Sequence, residues 1–201
     1  MSLRHSYTFF APIYDAMIAG ASRPWRNRSL ERLKAATDTD VLITGIGTGL
    51  DIEHLPHGPR YTGIDLTPAM LKKAHQRAEQ SHHEIELHEG DVMNLPFEDA
   101  RFDHVVMHLI LAVVPEPHQA LKEASRVVRP GGDILILDKF LRPGQIAPVR
   151  RLINPFISRL ATRTNVVFEE LMQECPELEC VDDQPVIPGG WFRYITVRKN
   201  D

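Results

Sequence analysis

Val41-Leu42-Ile43-Thr44-Gly45-Ile46-Gly47-Thr48-Gly49 is an apolar run that leads into three glycines at alternate positions. Such a run marks a strand turning tightly around a ligand, because glycine allows turns and close backbone approaches that other residues resist. The spacing narrows the choice of ligand. A dinucleotide-binding turn places its third glycine three residues after the second, where the following helix packs closely. Here that position is Leu50. Taken alone, the stretch also fits an ordinary glycine-rich turn from strand to helix.

The surrounding chain has the size of one domain with one core: 201 residues, 43% of them apolar and 25% charged. No apolar run approaches the roughly 20 residues that span a bilayer. The first residues lack the basic segment and apolar core of a secretory signal, so a cytoplasmic location is expected. Cys175 and Cys180 are too few for a disulfide framework or a four-thiolate zinc site, and both are expected to be reduced. The histidines are not spaced as metal ligands: His54 and His57 flank a proline, His82 and His83 are adjacent, and no metal is expected.

The net charge of −4 is unevenly spread. Residues 1–36 hold six Lys/Arg against Asp15 and Glu31, and residues 139–165 hold Lys139, Arg142, Arg150, Arg151, Arg159 and Arg163 with no acid. The rest of the chain is acidic. Two basic segments on an acidic body either face an anionic substrate or surface, or form solvated helix faces.

Outward from the glycine run, strands and helices alternate. Phe9, Phe10, Ile13, Tyr14, Met17 and Ile18 make one apolar helical face, and a second helix starts after Ser22 with Leu30 and Leu33 inward. Val41–Thr44 reads as a strand, Asp51–Leu55 as a short helix stopped by Pro56, Tyr61–Ile64 as a strand, and Pro68–Gln80 as a helix capped by Thr67. Strands follow at Ile85–His88 and His104–Leu109, then a helix Pro117–Val128, the turn Arg129-Pro130-Gly131-Gly132 and the strand Ile134–Asp138. This alternation predicts a parallel sheet covered by helices on both faces. Helical regions 145–162 and 167–174 come next, and late strands near 178–183 and 191–198 predict an antiparallel hairpin at one sheet edge.

In such sheets, ligands sit at the carboxyl ends of the strands near the point where strand order reverses. Polar candidates recur at those ends. Asp65 follows the second strand, 18 residues beyond Gly47, and its acceptor-only carboxylate suits two ribose hydroxyls. Asp91, in Gly90-Asp91-Val92, suits an adenine amino group, with Val92 as an apolar wall. His108 follows the fourth strand. Singly, each aspartate reads as a turn or cap residue; at consecutive strand ends they describe a nucleoside pocket.

These features, with Ala11-Pro12-Ile13-Tyr14-Asp15, Gly63-Ile64-Asp65-Leu66-Thr67-Pro68-Ala69-Met70-Leu71, Gly90-Asp91-Val92-Met93-Asn94-Leu95-Pro96-Phe97, Phe102-Asp103, Val114-Pro115-Glu116-Pro117 and Arg126-Val127-Val128-Arg129-Pro130-Gly131-Gly132, cover roughly residues 8–140. By them the chain resembles class I S-adenosylmethionine-dependent methyltransferases, in the family of ubiquinone/menaquinone methyltransferases and bacterial phosphatidylethanolamine N-methyltransferases. The resemblance implies an α/β, Rossmann-like sheet of seven strands, mostly parallel with an antiparallel carboxyl-terminal hairpin, beneath an amino-terminal helical cap. It divides a single domain into the cap (1–38), a cofactor-binding core (39–140) and acceptor-side helices with the terminal hairpin (141–201). It assigns S-adenosyl-L-methionine to Gly45, Ile46, Gly47, Gly49, Asp65, Leu66, Met70, Asp91, Val92 and His108. One position departs from the family: where an acid linked to the cofactor's ammonium is usual, two residues before Gly45, this chain has Ile43. Asp51 either replaces that charge or caps the short helix.

Methyl transfer from a sulfonium is a direct displacement, so alignment and exclusion of water are the main requirements. His108 is the candidate base for a carbon or alcohol acceptor, and otherwise a wall of the cofactor site; Tyr14 covers the cofactor, lines the acceptor pocket or belongs to the core. Ile146, Val149, Ile153, Phe156, Ile157 and Leu160 form an apolar stripe with arginines on other faces, suited to lying on an anionic bilayer or to closing the pocket. Arg142, Arg150, Arg151 and Trp191 are the acceptor-side candidates. The expected activity is methylation of a small-molecule or lipid-like acceptor, a phospholipid amine or a quinone-like compound, with peripheral contact at the inner membrane surface. Nucleic acid ranks lower as an acceptor, since the body is acidic and the Asn/Asp-Pro-Pro-aromatic signature is missing after the fourth strand. The alternative is a methyltransferase-fold protein that binds cofactor or a partner without turnover.

Overall fold

The computed structural model describes residues 22–33, 36–141, 166–187 and 191–201. The expected amino-terminal helix with Tyr14, the region 145–162, and Arg142, Arg150 and Arg151 lie outside these residues. One sheet is built from β1 (Asp40–Thr44), β2 (Arg60–Asp65), β3 (Ile85–Glu89), β4 (Phe102–His108), β5 (Val128–Lys139), β6 (Leu178–Pro185) and β7 (Phe192–Lys199). Its order is β3-β2-β1-β4-β5-β7-β6. The first five strands are mutually parallel, β7 runs antiparallel to β5, and β6 pairs antiparallel to β7 at the edge. The hairpin predicted from the sequence therefore joins the sheet through its second strand.

Period-two alternation sends neighbouring side chains to opposite faces. Val41 and Ile43 of β1, Val106 of β4 and Leu135 of β5 pack with Leu30 and Leu33, which belong to or follow helix α1 (residues 22–30), and with Leu71 of helix α2 (Pro68–Glu79). Leu42, Val105, Met107, Ile134 and Ile136 pack on the other face with Leu121 and Ala124 of helix α3 (Pro117–Val127) and Leu171 of helix α4 (Phe168–Gln173). Each large apolar side chain buried this way contributes about 1.5–3 kcal/mol. Both faces are thus covered, and the open edge left for a ligand is the row of strand ends.

Three local expectations change. The short helix is a single 3-10 turn, Ile52–His54, because Leu55, which precedes Pro56, is already extended with ψ 136°. Thr67 stands at the start of α2 without a side-chain capping bond; its N–H instead donates to Asp65 Oδ1 at 2.9 Å. The sequence Arg129–Gly132 is not a turn before β5 but a bulge within it: β4 pairs Phe102 with Val128 and resumes with His104 opposite Asp133.

Candidate active site

The order of strands reverses between β1 and β4, and a cavity opens at their carboxyl ends. It gathers the expected Gly45, Ile46, Gly47, Asp65, Leu66, Met70, Asp91, Val92 and His108. Arg26, Thr48, Leu50, Thr67, Gly90 and Met93 also line it, with Leu109, Ile110, Val113, Val114 and Pro115 of the loop after β4. Gly49 is not part of that lining. Its φ is +82°, and a Cβ there would lie 2.8 Å from Ile52 Cδ1 and 3.1 Å from Ala74 Cα, so it serves the packing of α2 under the loop.

Asp65 links two segments of the pocket. Its Oδ2 accepts the Gly47 N–H and its Oδ1 the Thr67 N–H, each at 2.9 Å. Burial raises its pKa above the usual carboxylate value, although both backbone donors pull the other way. Asp91 closes its own turn through Oδ1, which accepts the Met93 N–H at 2.9 Å. A Cβ at Gly47 would meet nothing nearer than Gly45 O at 3.9 Å, so the backbone faces open cavity there. Backbone cradle, paired aspartates and the apolar walls Leu66, Met70 and Val92 fit a nucleoside-bearing cofactor.

On the far side of the glycine loop, His108 is buried and bonded through both ring nitrogens. Nδ1 lies 2.8 Å from Asp51 Oδ1 and Nε2 lies 2.9 Å from Ser29 Oγ. Asp51 Oδ2 accepts from Arg26 Nη1 at 2.8 Å, and Arg26 Nε donates to Ser22 Oγ at 3.2 Å. Burial pushes the Asp51 carboxyl up, but Arg26 and His108 together outweigh it and hold the pKa well below the ordinary range. With Asp51 ionised, Nδ1 donates to it, and Nε2 shares a hydrogen bond with the Ser29 hydroxyl. The geometry holds the ring in one orientation, with each nitrogen engaged by a protein side chain.

Asp51 stands at the N-cap position of the 3-10 turn. Its side chain makes no capping bond to the 3-10 turn, and its charge is matched by Arg26. Ile43 is 1% exposed and packs among core side chains on the α1 side of the sheet. Trp191 is described and half exposed, but it does not line the cavity.

Arg26, Ser29 and Asp138 were not anticipated. Arg26 and Ser29 sit three apart on α1, and Ser29 lies 79 positions from its partner His108, a distance no local pattern spans. Asp138, at the end of β5, accepts from Ala112 N at 3.1 Å and Lys139 N at 2.8 Å. Burial lifts its pKa to about 6. It anchors the loop after β4, in which Leu109 has φ +56° and Ile110 leans on Gly45.

A mostly parallel sheet with a cavity at its reversal point that fits a nucleoside defines a class of nucleotide-cofactor proteins. Comparison with known proteins narrows it. Residues 42–136 match the methyltransferase domain family. A phosphatidylethanolamine N-methyltransferase of Cereibacter sphaeroides is 33% identical over 98% of both chains. A demethylmenaquinone methyltransferase of Listeria monocytogenes is 31% identical over 64% of this chain and 58% of its own length. The chain belongs to the S-adenosylmethionine-dependent methyltransferase family and is an enzyme of that class, with S-adenosylmethionine as its cofactor.

Solved structures agree on the fold. The [4+2]-cyclase SpnF has a TM-score of 0.77 at 18% identity, covering 98% of this chain and 96% of its own. Geranyl diphosphate C-methyltransferase from Streptomyces coelicolor A3(2), solved with S-adenosyl-L-homocysteine, has a TM-score of 0.70 at 15% identity, covering 90% of this chain and 76% of its own. One neighbour being named a cyclase illustrates that this fold alone does not fix the chemistry.

Proposed function

We propose that the enzyme methylates the amine of a phospholipid while resting on the cytoplasmic face of a membrane. The observation that carries this reading is the span of the resemblance: the phosphatidylethanolamine N-methyltransferase matches through the acceptor-side region 141–201, at 98% coverage of both chains. The basic segment 139–165, with its apolar stripe, supports the same reading, since it suits an anionic bilayer. Among the described residues no helix is long and apolar enough to cross a membrane. Contact would therefore be peripheral on this reading, with residues 1–38 as a cap, 39–140 as the cofactor core and 141–201 on the acceptor side. A quinone-like acceptor is the second reading, favoured by the match to demethylmenaquinone methyltransferases.

When bound, the cofactor supplies an electrophilic methyl group on a sulfonium. Gly47, Asp65, Leu66, Met70, Asp91 and Val92 would hold its nucleoside part, and the His108 wall would border the methyl-bearing end. Tyr14 is assigned to the cover over that end. An amine acceptor needs no dedicated base once it has shed its proton to solvent, which accords with His108 having both nitrogens engaged. The chain's task is then to orient the amine and exclude water.

The test is transfer of radiolabelled methyl from S-adenosylmethionine to vesicles of phosphatidylethanolamine mixed with anionic lipid, alongside a demethylated quinone. Label in the phospholipid is the expected result. Label only in the quinone selects the second reading, and label in neither overturns both. Sedimentation with anionic vesicles that fails, or that ignores salt, overturns the role given to the basic segment.

A further inference from the structure

We infer that Arg26 binds the carboxylate at the amino-acid end of the cofactor, so that this chain recognises that end by its negative group, Ile43 having left no acid for the ammonium. The inference rests on the cofactor reading of the cavity.

Three observations carry it. The first is lateral position. Along the sheet edge the order is β3, β2, β1, β4, which sets out Asp91, Asp65, the glycine loop and His108 in that sequence. Arg26 joins the His108 end through Asp51. A cofactor with its nucleoside at Asp65 and Asp91 has its amino-acid end beside Arg26.

The second is charge. Among the described residues lining the cavity, Arg26 is the one Lys or Arg, and the acidic side chains, Asp65 and Asp91, both lie at the nucleoside end. Asp51, the acid nearest the other end, is bonded to Arg26 and His108 and is not among the lining residues.

The third is preorganisation. Asp51 takes Nη1 and Ser22 takes Nε, which leaves further N–H groups of a planar, five-donor guanidinium at the cavity wall. The side chain is 10% exposed, so its orientation is set by the protein before any ligand arrives. A fixed fork of donors matches a carboxylate better than a flexible ammonium would. His108 and Ser29 extend the same chain of bonds and hold Asp51 in place.

The experiment is calorimetric and needs no turnover. The unaltered protein is titrated with S-adenosylmethionine and with its decarboxylated analogue, which keeps the sulfonium and the amine but lacks the carboxylate. We expect the analogue to bind roughly 10- to 100-fold more weakly, the range for one charge-assisted contact. Arg26→Met should weaken S-adenosylmethionine by a similar factor and leave the analogue unchanged, and Arg26→Lys should restore part of the loss. Because Arg26→Met strands Asp51, the double variant Arg26→Met/Asp51→Asn is measured alongside, with thermal unfolding as the check on folding. Equal binding of both ligands to the unaltered protein overturns the inference, as does an equal loss of both in a folded Arg26 variant. Binding of neither ligand overturns the cofactor reading, and this assignment with it.

Discussion

His108 Nδ1 and Asp51 Oδ1 lie 2.8 Å apart, with the two side chains only 1% and 2% exposed. A buried carboxylate held between an imidazole and a guanidinium is stable only while both partners remain, because an uncompensated buried charge costs about 3–5 kcal/mol. Asp51→Ala should therefore lower stability by about that amount in denaturant titration. The acid limb carries a second signature. A carboxyl held below its ordinary pKa contributes stability that is present above that value and lost as pH falls through the lower, folded value. In Asp51→Asn, the melting temperature should fall less steeply on acidification than it does in the native chain.

Asp65→Ala should abolish measurable binding of S-adenosylhomocysteine, at a cost of roughly 2–4 kcal/mol, because the ribose loses its acceptor and the Gly47 and Thr67 N–H groups lose theirs. Since burial raises the Asp65 pKa, cofactor affinity should decline on acidification before an ordinary carboxylate would protonate. Unchanged affinity in Asp65→Ala would show the nucleoside site to be elsewhere.

Gly45→Ala places a Cβ 2.5 Å from Ile110 Cδ1 at a backbone φ of +62°. The strained backbone costs on the order of 1–3 kcal/mol, and the clash adds to it. Gly45→Ala/Ile110→Ala should recover the steric part and leave the backbone part, giving non-additive stabilities in a double-mutant cycle. Full additivity would mean that Ile110 yields freely.

Asp138 gives the opposite pH dependence from Asp51. Its folded pKa, about 6, stands above the ordinary 3.8, so between those values the folded chain holds more protons than the unfolded one. Stability should fall as pH rises through that window, by about 3 kcal/mol in total, and level off above it. Asp138→Asn should flatten this limb in melting curves recorded from pH 4 to 7, and an unchanged slope would place the titration on another group.

Much of this arrangement is legible in the chain because it is local. The glycine run, the alternation of β1, β4 and β5, and Asp65 and Asp91 at strand ends all follow from short-range period and turn chemistry. What escapes is decided by tertiary proximity. Ser29 and His108 meet only once α1 lies on the sheet, and nothing near Arg26 in the sequence marks Asp51 as its partner. Gly49 shows a subtler limit: its place in the motif is plain, but whether it faces ligand or helix depends on Ile52 and Ala74. The bulge at Arg129–Gly132 reads as a turn because Pro130-Gly131 is turn chemistry, and only the ladder to β4 shows that the strand continues through it.

The antiparallel entry of β7 has a consequence for biosynthesis. β5 is an interior strand whose second neighbour is Phe192–Lys199, far downstream of it. While the ribosome is still translating the intervening residues, the apolar strand Ile134–Leu137 has a bare margin able to pair with any nascent chain nearby. The acidic β6, with Glu179, Asp182 and Asp183, then becomes the outermost strand when the hairpin docks. The finished sheet is bordered there by a strand of charged side chains, Asp182 paired with Arg32 and Asp183 with Arg193, and a charged edge discourages further strand addition, so the hairpin acts as a built-in safeguard against aggregation.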